Sequence, residues 1–296
     1  MQKFNQTKGE KAFNIFNAIF LIALSVVCIY PLYYVLIGSI SDPVMMMKHQ
    51  GLLLVPYGFD LEAYQRVFAN PMIPIGYRNT IVYLVCGTIV NLVLTTLGAY
   101  TLSRKNVMFR DFVMFMIVFT MLFQGGMIPT YLLVNDLGLV NSWLAMILPS
   151  AINTINLIIM RTSVAAIPES LLESARIEGA GEFSILIRIV IPLSKAVIAV
   201  MILYYGVYHW NTWFNAMLYL RTRTLYPLQL VLRDILIATG GTAGMTTGTV
   251  NADEKEYISM TIKYATIIVA TLPILFVYPF VQKYFVKGVM IGAIKE

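Results

Sequence analysis

The sequence predicts an all-α polytopic membrane protein, a single domain of six transmembrane helices with both termini in the cytoplasm. Three observations carry this. Hydrophobic residues make up 58% of the chain and charged residues 12%, against about 25% charged in a soluble domain, and the mean hydropathy is +0.75. Six charge-free stretches stand at 12–41, 79–103, 112–135, 137–160, 196–220 and 264–282, each about as long as the roughly 20 residues a bilayer-crossing helix needs. The basic residues divide unequally between the segments that alternate across those spans.

The N-terminal Met1–Lys11 is short and polar and has no cleavable-signal pattern, so 12–41 reads as a retained anchor. After 79–103, Arg104, Lys105 and Arg110 crowd a short connection, whereas the connection after 112–135 carries only Asp136. With both termini inside, Lys3, Lys8, Lys11, Arg104, Lys105, Arg110, Arg161, Arg176, Arg188, Lys195, Lys283, Lys287 and Lys295 fall on the cytoplasmic side, 13 of the 21 basic residues. The net charge of +6 thus sits at helix ends facing anionic headgroups and does not call for nucleic acid. Cys28 and Cys86 lie inside spans, as small apolar packing residues. Asn91, Thr95, Thr96, Asn153 and Asn156 are also in spans, where such groups bridge helices.

One charged island interrupts this pattern, at 166–192. Pro168 suits a first helical turn and Glu169 favours the positive end of its dipole. Leu171, Leu172, Ala175 and Ile177 follow at helical spacing, Gly179 and Gly181 interrupt, and Phe183, Leu186, Ile187, Val190 and Ile191 make a second amphipathic segment before Pro192. The expectation is a short helix, a sharp turn and another helix, too polar to lie in lipid.

This island resembles the EAA loop of the permease subunits of ABC importers. The family pattern is Glu-Ala-Ala, two residues, Asp-Gly-Ala, then about nine residues to Ile-x-x-Pro. Here it stands as Glu173-Ser174-Ala175, Glu178-Gly179-Ala180, Ile189 and Pro192, with Ser174 for Ala and Glu178 for Asp. The resemblance implies the type I importer permease fold. It also implies a coupling helix, with Glu173, Ser174, Ala175, Glu178, Gly179, Ala180 and Pro192 docking on a cytoplasmic ATPase. Two ATPase copies would carry the ATP and Mg, with no cofactor on this chain. A second, homologous permease, an extracellular solute-binding lipoprotein and the plasma membrane of a bacterium, Gram-positive by likeness, complete the implied setting. The runs Met127–Tyr131, Leu137–Ser142, Ile147–Pro149 and Tyr208–Phe214 are similar to the carbohydrate-importing branch, which implies an oligosaccharide cargo.

For that cargo the fifth span offers Tyr204, Tyr205, Tyr208, His209, Trp210 and Asn211, because sugars pair apolar C–H faces with many hydroxyls. Trp213 and Tyr219 read equally as an aromatic belt at the outer interface. Gln124, ahead of Gly125-Gly126, is placed to line a cavity, since paired glycines allow local unwinding. His209 reads as neutral and hydrogen-bonded rather than as a proton carrier.

Absences narrow the chemistry. No G-x-x-x-x-G-K-[ST] occurs, and His49 and His209 belong to no H-E-x-x-H site. No charge sits within any span, so ion-driven transport has no carboxylate to use. Two alternatives stay open. A permease for a non-sugar solute keeps the loop but needs a charged cargo site; an intramembrane enzyme needs a nucleophile or metal constellation, for which Tyr205, His209, Ser25 and Ser39 make a poor set. The outer loops, 42–77 and 214–263, hold Arg221, Arg223, Arg233, Asp234, Asp253, Glu254 and Glu256 and the glycine-rich Gly240–Gly248, expected to meet a docking protein or solvent.

Overall fold

The computed structural model describes residues 7–48, 51–240 and 258–276. His49, most of Gly240–Gly248, Asp253, Glu254, Glu256, Lys3, Lys283, Lys287, Lys295 and the end of the 264–282 span lie outside the described residues. Where the sequence reads as one domain, packing divides the chain into two compact units. One takes in the described residues up to Asn70 with those of Asp234–Leu272; the other holds Pro71–Arg233 and the described residues that follow Leu272. Among the described residues there is no strand, only an isolated bridge between Ser41 and Phe59.

In the first unit, helix α1 spans Lys8–Ser39. Thr7 caps it in a reciprocal box: its hydroxyl accepts from the Glu10 N–H, and Glu10 accepts from the Thr7 N–H at 2.7 Å. Only Ile37, Gly38 and Ser39 are buried in α1, as expected of an apolar helix whose solvent is lipid. The connection at 42–77 is not irregular throughout. It folds α2 (Pro43–Lys48) and α3 (Glu62–Ala69), with Asp42 accepting from the Val44 and Met45 N–H groups at 2.8 and 2.9 Å to start α2.

In the second unit, α4 (Met72–Ser103) begins seven residues before the charge-free stretch. Its buried stripe is small and polar: Gly76, Thr80, Gly87, Asn91, Thr95 and Ala99 recur nearly every helical turn, which brings neighbouring backbones close without a hydrophobic driving force. The 112–135 stretch is two helices, α5 (Arg110–Leu122) and α6 (Met127–Asp136), bent by 116°. Gly126, at φ 88°, takes the left-handed backbone that breaks them. The 137–160 stretch is likewise divided. Short 3-10 turns at Trp143–Met146 and Leu148–Ser150 precede α7 (Thr154–Ala165), which Asn153 caps by accepting from the Asn156 N–H at 3.1 Å.

The charged island folds as α8 (Glu169–Ile177), α9 (Glu182–Ile185), a π-helical turn at Leu186–Val190 and α10 (Ile191–Leu193), then bends by 84° into α11 (Lys195–Asn211). The 196–220 stretch therefore ends early as a helix. Thr212 and Asn211 turn their side chains back onto the Tyr208 and Val207 carbonyls at 2.7 and 2.9 Å, competing with continuation of the helix. Trp213 and Tyr219 consequently lie beyond α11, Tyr219 on a separate helix α12 (Phe214–Tyr219). Helix α13 (Leu228–Gly240) follows, and in the first unit α14 (Ile258–Phe276) covers the described part of the sixth stretch. Among the described residues three helices are long and apolar enough to cross a membrane, or up to six if each bent pair is one span.

Candidate coupling loop and translocation helices

Helix α8 ends as a Schellman motif. The Gly179 N–H bonds the Arg176 carbonyl and the Ala180 N–H bonds the Ala175 carbonyl, both at 2.9 Å, with Gly179 at φ 84°. Gly181 is different: at φ −72° it is ordinary extended backbone ahead of α9, so one glycine makes the turn. The exit from the turn is fixed from below. Leu172, Ala175, Ile185, Leu186 and Val190 pack into a core with Ala99 and Leu102 of α4, Leu157, Met160 and Val164 of α7, and Met201 of α11. The loop is thus seated on the ends of three long helices.

The rest of the loop faces outward. Glu173, Ser174, Glu178, Gly179 and Pro192 are exposed, whereas Ala175 is buried and Ala180 packs against the core. The apolar spacing only half describes the loop. Leu172 is 1% exposed but Ile177 is 87% exposed and Phe183 68%, so alternate apolar side chains face away from the spans. Ile177 is next to Glu178 in sequence, and Phe183 is next to Glu182.

An ionic cluster that sequence reading missed ties this loop to α4. Glu182 accepts from Arg176 Nε at 2.8 Å and from the Tyr100 hydroxyl; Arg104 lies over the Tyr100 ring, 4.5 Å from its centroid. The Tyr100 hydrogen bond and then Arg176 hold the Glu182 carboxyl below its ordinary value, while that carboxylate raises Arg176. A second contact, Lys105 to Glu169 at 3.4 Å, is more exposed. The only sequence signal for Glu182 is a carboxylate in a first helical turn; its Tyr100 partner is far away along the chain.

The expected cargo residues separate into two groups. Tyr205 and His209 are each 2% exposed. The Tyr205 hydroxyl meets Thr95 Oγ1 at 2.7 Å and accepts from the Asn153 N–H at 3.3 Å. His209 Nε2 meets Asn91 Oδ1 at 2.7 Å. Both are buried, with the Tyr205 hydroxyl and His209 Nε2 hydrogen-bonded to α4 and to the start of α7. Tyr204, Tyr208, Asn211 and Gln124 are exposed. Tyr208 accepts from Asn215 at 3.1 Å. Trp210 is half-buried and its indole N–H has no partner among the described residues. Gln124 sits in the α5–α6 break, where the paired glycines do unwind the helix. Among the described residues no group of three or more His, Cys, Asp or Glu is placed to hold a metal ion.

The opposite end of α4 is also built from long-range bonds. Asn79 donates to the Thr224 and Tyr226 carbonyls at 2.7 and 3.0 Å, Tyr83 to the Leu225 carbonyl at 2.7 Å, and Thr80 accepts from the Leu228 N–H at 2.8 Å. Asn141, at φ 62°, accepts from the Arg221 and Thr222 N–H groups at 3.0 and 2.9 Å.

No protein-family model matches the sequence. Individual relatives do. The chain is 41% identical to the polygalacturonan/rhamnogalacturonan transport system permease protein YtcP of Bacillus subtilis, over 93% of this chain and 96% of that one. It is 40% identical to the B. subtilis protein LplC, over 98% and 97%. A crystal structure of a bacterial ABC transporter involved in import of the acidic polysaccharide alginate contains a chain that superposes with a TM-score of 0.86 at 33% identity, covering 96% of this chain and all of that one. Identity at this level over nearly the whole length, with the same fold and an EAA loop seated on the helix ends, means that the chain belongs to the permease subunits of ABC carbohydrate importers.

Proposed function

We propose that this subunit forms part of the translocation path for oligosaccharides, and that ATP hydrolysed on a partner drives it through the loop at 166–192. The observation that carries the reading is the exposed, Schellman-capped edge at Glu173–Gly179, held on the ends of α4, α7 and α11. A docked ATPase that closes would press on Glu173, Ser174, Glu178 and the exposed Ile177 and Phe183, and the buried face would pass the motion to the helices. Pro192 stands at the bend where the loop turns into α11.

Six spans and cytoplasmic termini are part of this reading. Asn79, which organises one end of α4, and Tyr100, which organises the other, are about six turns apart, or roughly 31 Å, close to the roughly 30 Å of a bilayer core. With the coupling loop inside, the turn at Thr224–Leu228 lies outside, where a solute-binding lipoprotein would deliver cargo. A second permease and two ATPase copies complete the transporter, with ATP and Mg bound on the ATPases. Cargo would meet the exposed Tyr204, Tyr208 and Asn211, with Trp210 beside them and Gln124 at the helix break, while Tyr205 and His209 anchor the helices that carry them. YtcP is named for polygalacturonan/rhamnogalacturonan transport and, like LplC, comes from Bacillus subtilis, which supports an oligosaccharide cargo and a Gram-positive plasma membrane.

The test is affinity purification of the chain from its native membrane in mild detergent, followed by mass spectrometry. Recovery of an ATPase, a second permease and a binding lipoprotein is expected. Recovery of the chain without an ATPase, even after cross-linking, would overturn the proposal.

A further inference from the structure

The loop reaches the helices by two routes. One is covalent: α9 continues through the π-helical turn Leu186–Val190 and the bend into α11, and π-turns recur at functional sites. The other is the Glu182 carboxylate. It stands at the first position of α9, takes Arg176 Nε from the last turn of α8 at 2.8 Å, and takes the Tyr100 hydroxyl from the last turn of α4. One carboxyl group therefore joins both loop helices to a helix they are not continuous with.

Stability does not account for this arrangement. The Glu182 side chain is 57% exposed and that of Arg176 34% exposed, and ion pairs at such exposure contribute little. The seating of the loop is already secured by Leu172, Ala175, Ile185 and Leu186. What apolar packing does not fix is register: a greasy surface tolerates sliding, whereas two directional hydrogen bonds to one carboxylate do not. Tyr100 is itself held, 7% exposed and capped by the Arg104 guanidinium. Among the described residues Arg104 Nε and Nη2 have no hydrogen-bond partner, and the Arg104 charge helps to hold the Glu182 carboxyl below its ordinary value. Arg161 Nε, bonded to the Leu102 carbonyl at 3.0 Å, ties α7 to the same turn of α4.

We propose that Glu182 is a positioning residue for transport: it locks the coupling loop in register with Tyr100, so that α4 and its partner α7 move with the loop when the ATPases close. Without it the loop would drive α11 through the covalent route and slip against α4. This rests on the reading of the loop as the ATPase-docking element.

The test uses the complete transporter from native membranes in lipid nanodiscs. Spin labels sit at Ser170 and Thr101, both exposed, with Cys28 and Cys86 replaced by serine, and their separation is measured with and without Mg-ATP. In the otherwise native protein the separation is expected to stay fixed on adding Mg-ATP. In Glu182→Ala it is expected to shift by about 2 Å or more, the scale of interface helix movements, while the ATPase still co-purifies. Tyr100→Phe, which removes one O–H and keeps the buried ring, is expected to shift it in the same direction by less. A nucleotide-dependent separation in the native background, or variants indistinguishable from it, would overturn the joint. Loss of the ATPase from the Glu182→Ala complex would overturn it as well, making Glu182 a docking residue. Absence of any ATPase from the native complex would instead count against the importer reading itself.

Discussion

His209 Nε2 lies 2.7 Å from Asn91 Oδ1, and the Asn91 amide nitrogen donates to the carbonyls of Ser150 and Ala151 at 2.7 and 2.8 Å. The two donated bonds orient the amide so that its oxygen faces the ring, which places the imidazole proton on Nε2. One asparagine on α4 thereby satisfies α11 on one side and the backbone at the break before α7 on the other. Gly87 completes the fit: a Cβ there would lie 2.4 Å from the His209 Cε1 and Nε2 atoms.

Gly87→Ala should therefore destabilise the protein by about 1–3 kcal/mol through overpacking, since the imidazole must leave Asn91 to make room. Thermal unfolding in detergent measures this. The penalty should shrink in a His209→Ala background, where the obstructing ring is gone; an undiminished penalty would show that the clash lies elsewhere.

The turn of the coupling loop makes a sharp distinction between two glycines. Gly179→Ala meets no atom within 4 Å, so its cost is purely the left-handed backbone, about 1–2 kcal/mol. It should reduce the ATPase recovered with the permease and the uptake rate. Gly181→Ala, at φ −72°, should leave both intact. Equal effects of the two would remove the Schellman turn from the argument.

Glu178 is exposed at the C-cap of α8. Glu178→Lys should leave unfolding unchanged, because no packing is lost, yet lower ATPase recovery and transport by reversing the charge presented at the docking edge. Normal recovery together with normal uptake would exclude Glu178 from that edge.

The tie between Glu182 and Tyr100 should depend on pH in one direction only. Tyr100 and Arg176 lower the Glu182 value from its ordinary 4.5. A lowered native value means the contribution is fully present above that ordinary value and is lost as pH falls through the lower native one. Protection factors of the α8 and α9 amides, taken relative to intrinsic exchange at each pH, should stay flat from neutral pH down to about the ordinary carboxylate value and fall below it. Glu182→Gln should flatten the acid limb.

Trp210 holds a buried donor that has no partner among the described residues. Trp210→Phe should therefore cost no stability from a lost hydrogen bond. With Trp210 in the proposed cargo path, uptake should nevertheless fall. Unchanged uptake would take Trp210 out of the path.

The membrane class, the six apolar stretches and the coupling loop were legible in the sequence because each rests on local pattern: runs without charge, Pro168 and Glu169 opening a helix, Gly179 ending one. The Glu-x4-Glu-Gly-Ala spacing from Glu173 was specific enough to carry the family. Breaks inside the spans were harder to read, since Gly125-Gly126 announces one whereas Pro149 and Asn153 only permit one and Thr212 gives no hydropathy signal at all. The division of the fifth-span aromatics was not legible either. Tyr204 and Tyr205 are neighbours of the same type, yet one is exposed and the other is 2% exposed against Thr95.

By itself, then, the sequence determined which segments are apolar, where a helix must turn, and which charged edge is offered to a partner, since these depend on residues within a few positions of one another. Only the tertiary structure decided that Tyr205 and His209 hold helices together, that Gly87 exists to admit an imidazole, and that Glu182 reaches Tyr100. The physical reason is that a buried polar group must find a donor or acceptor somewhere in the fold, and the partner it finds is a neighbour in space whose distance along the chain leaves no periodic trace.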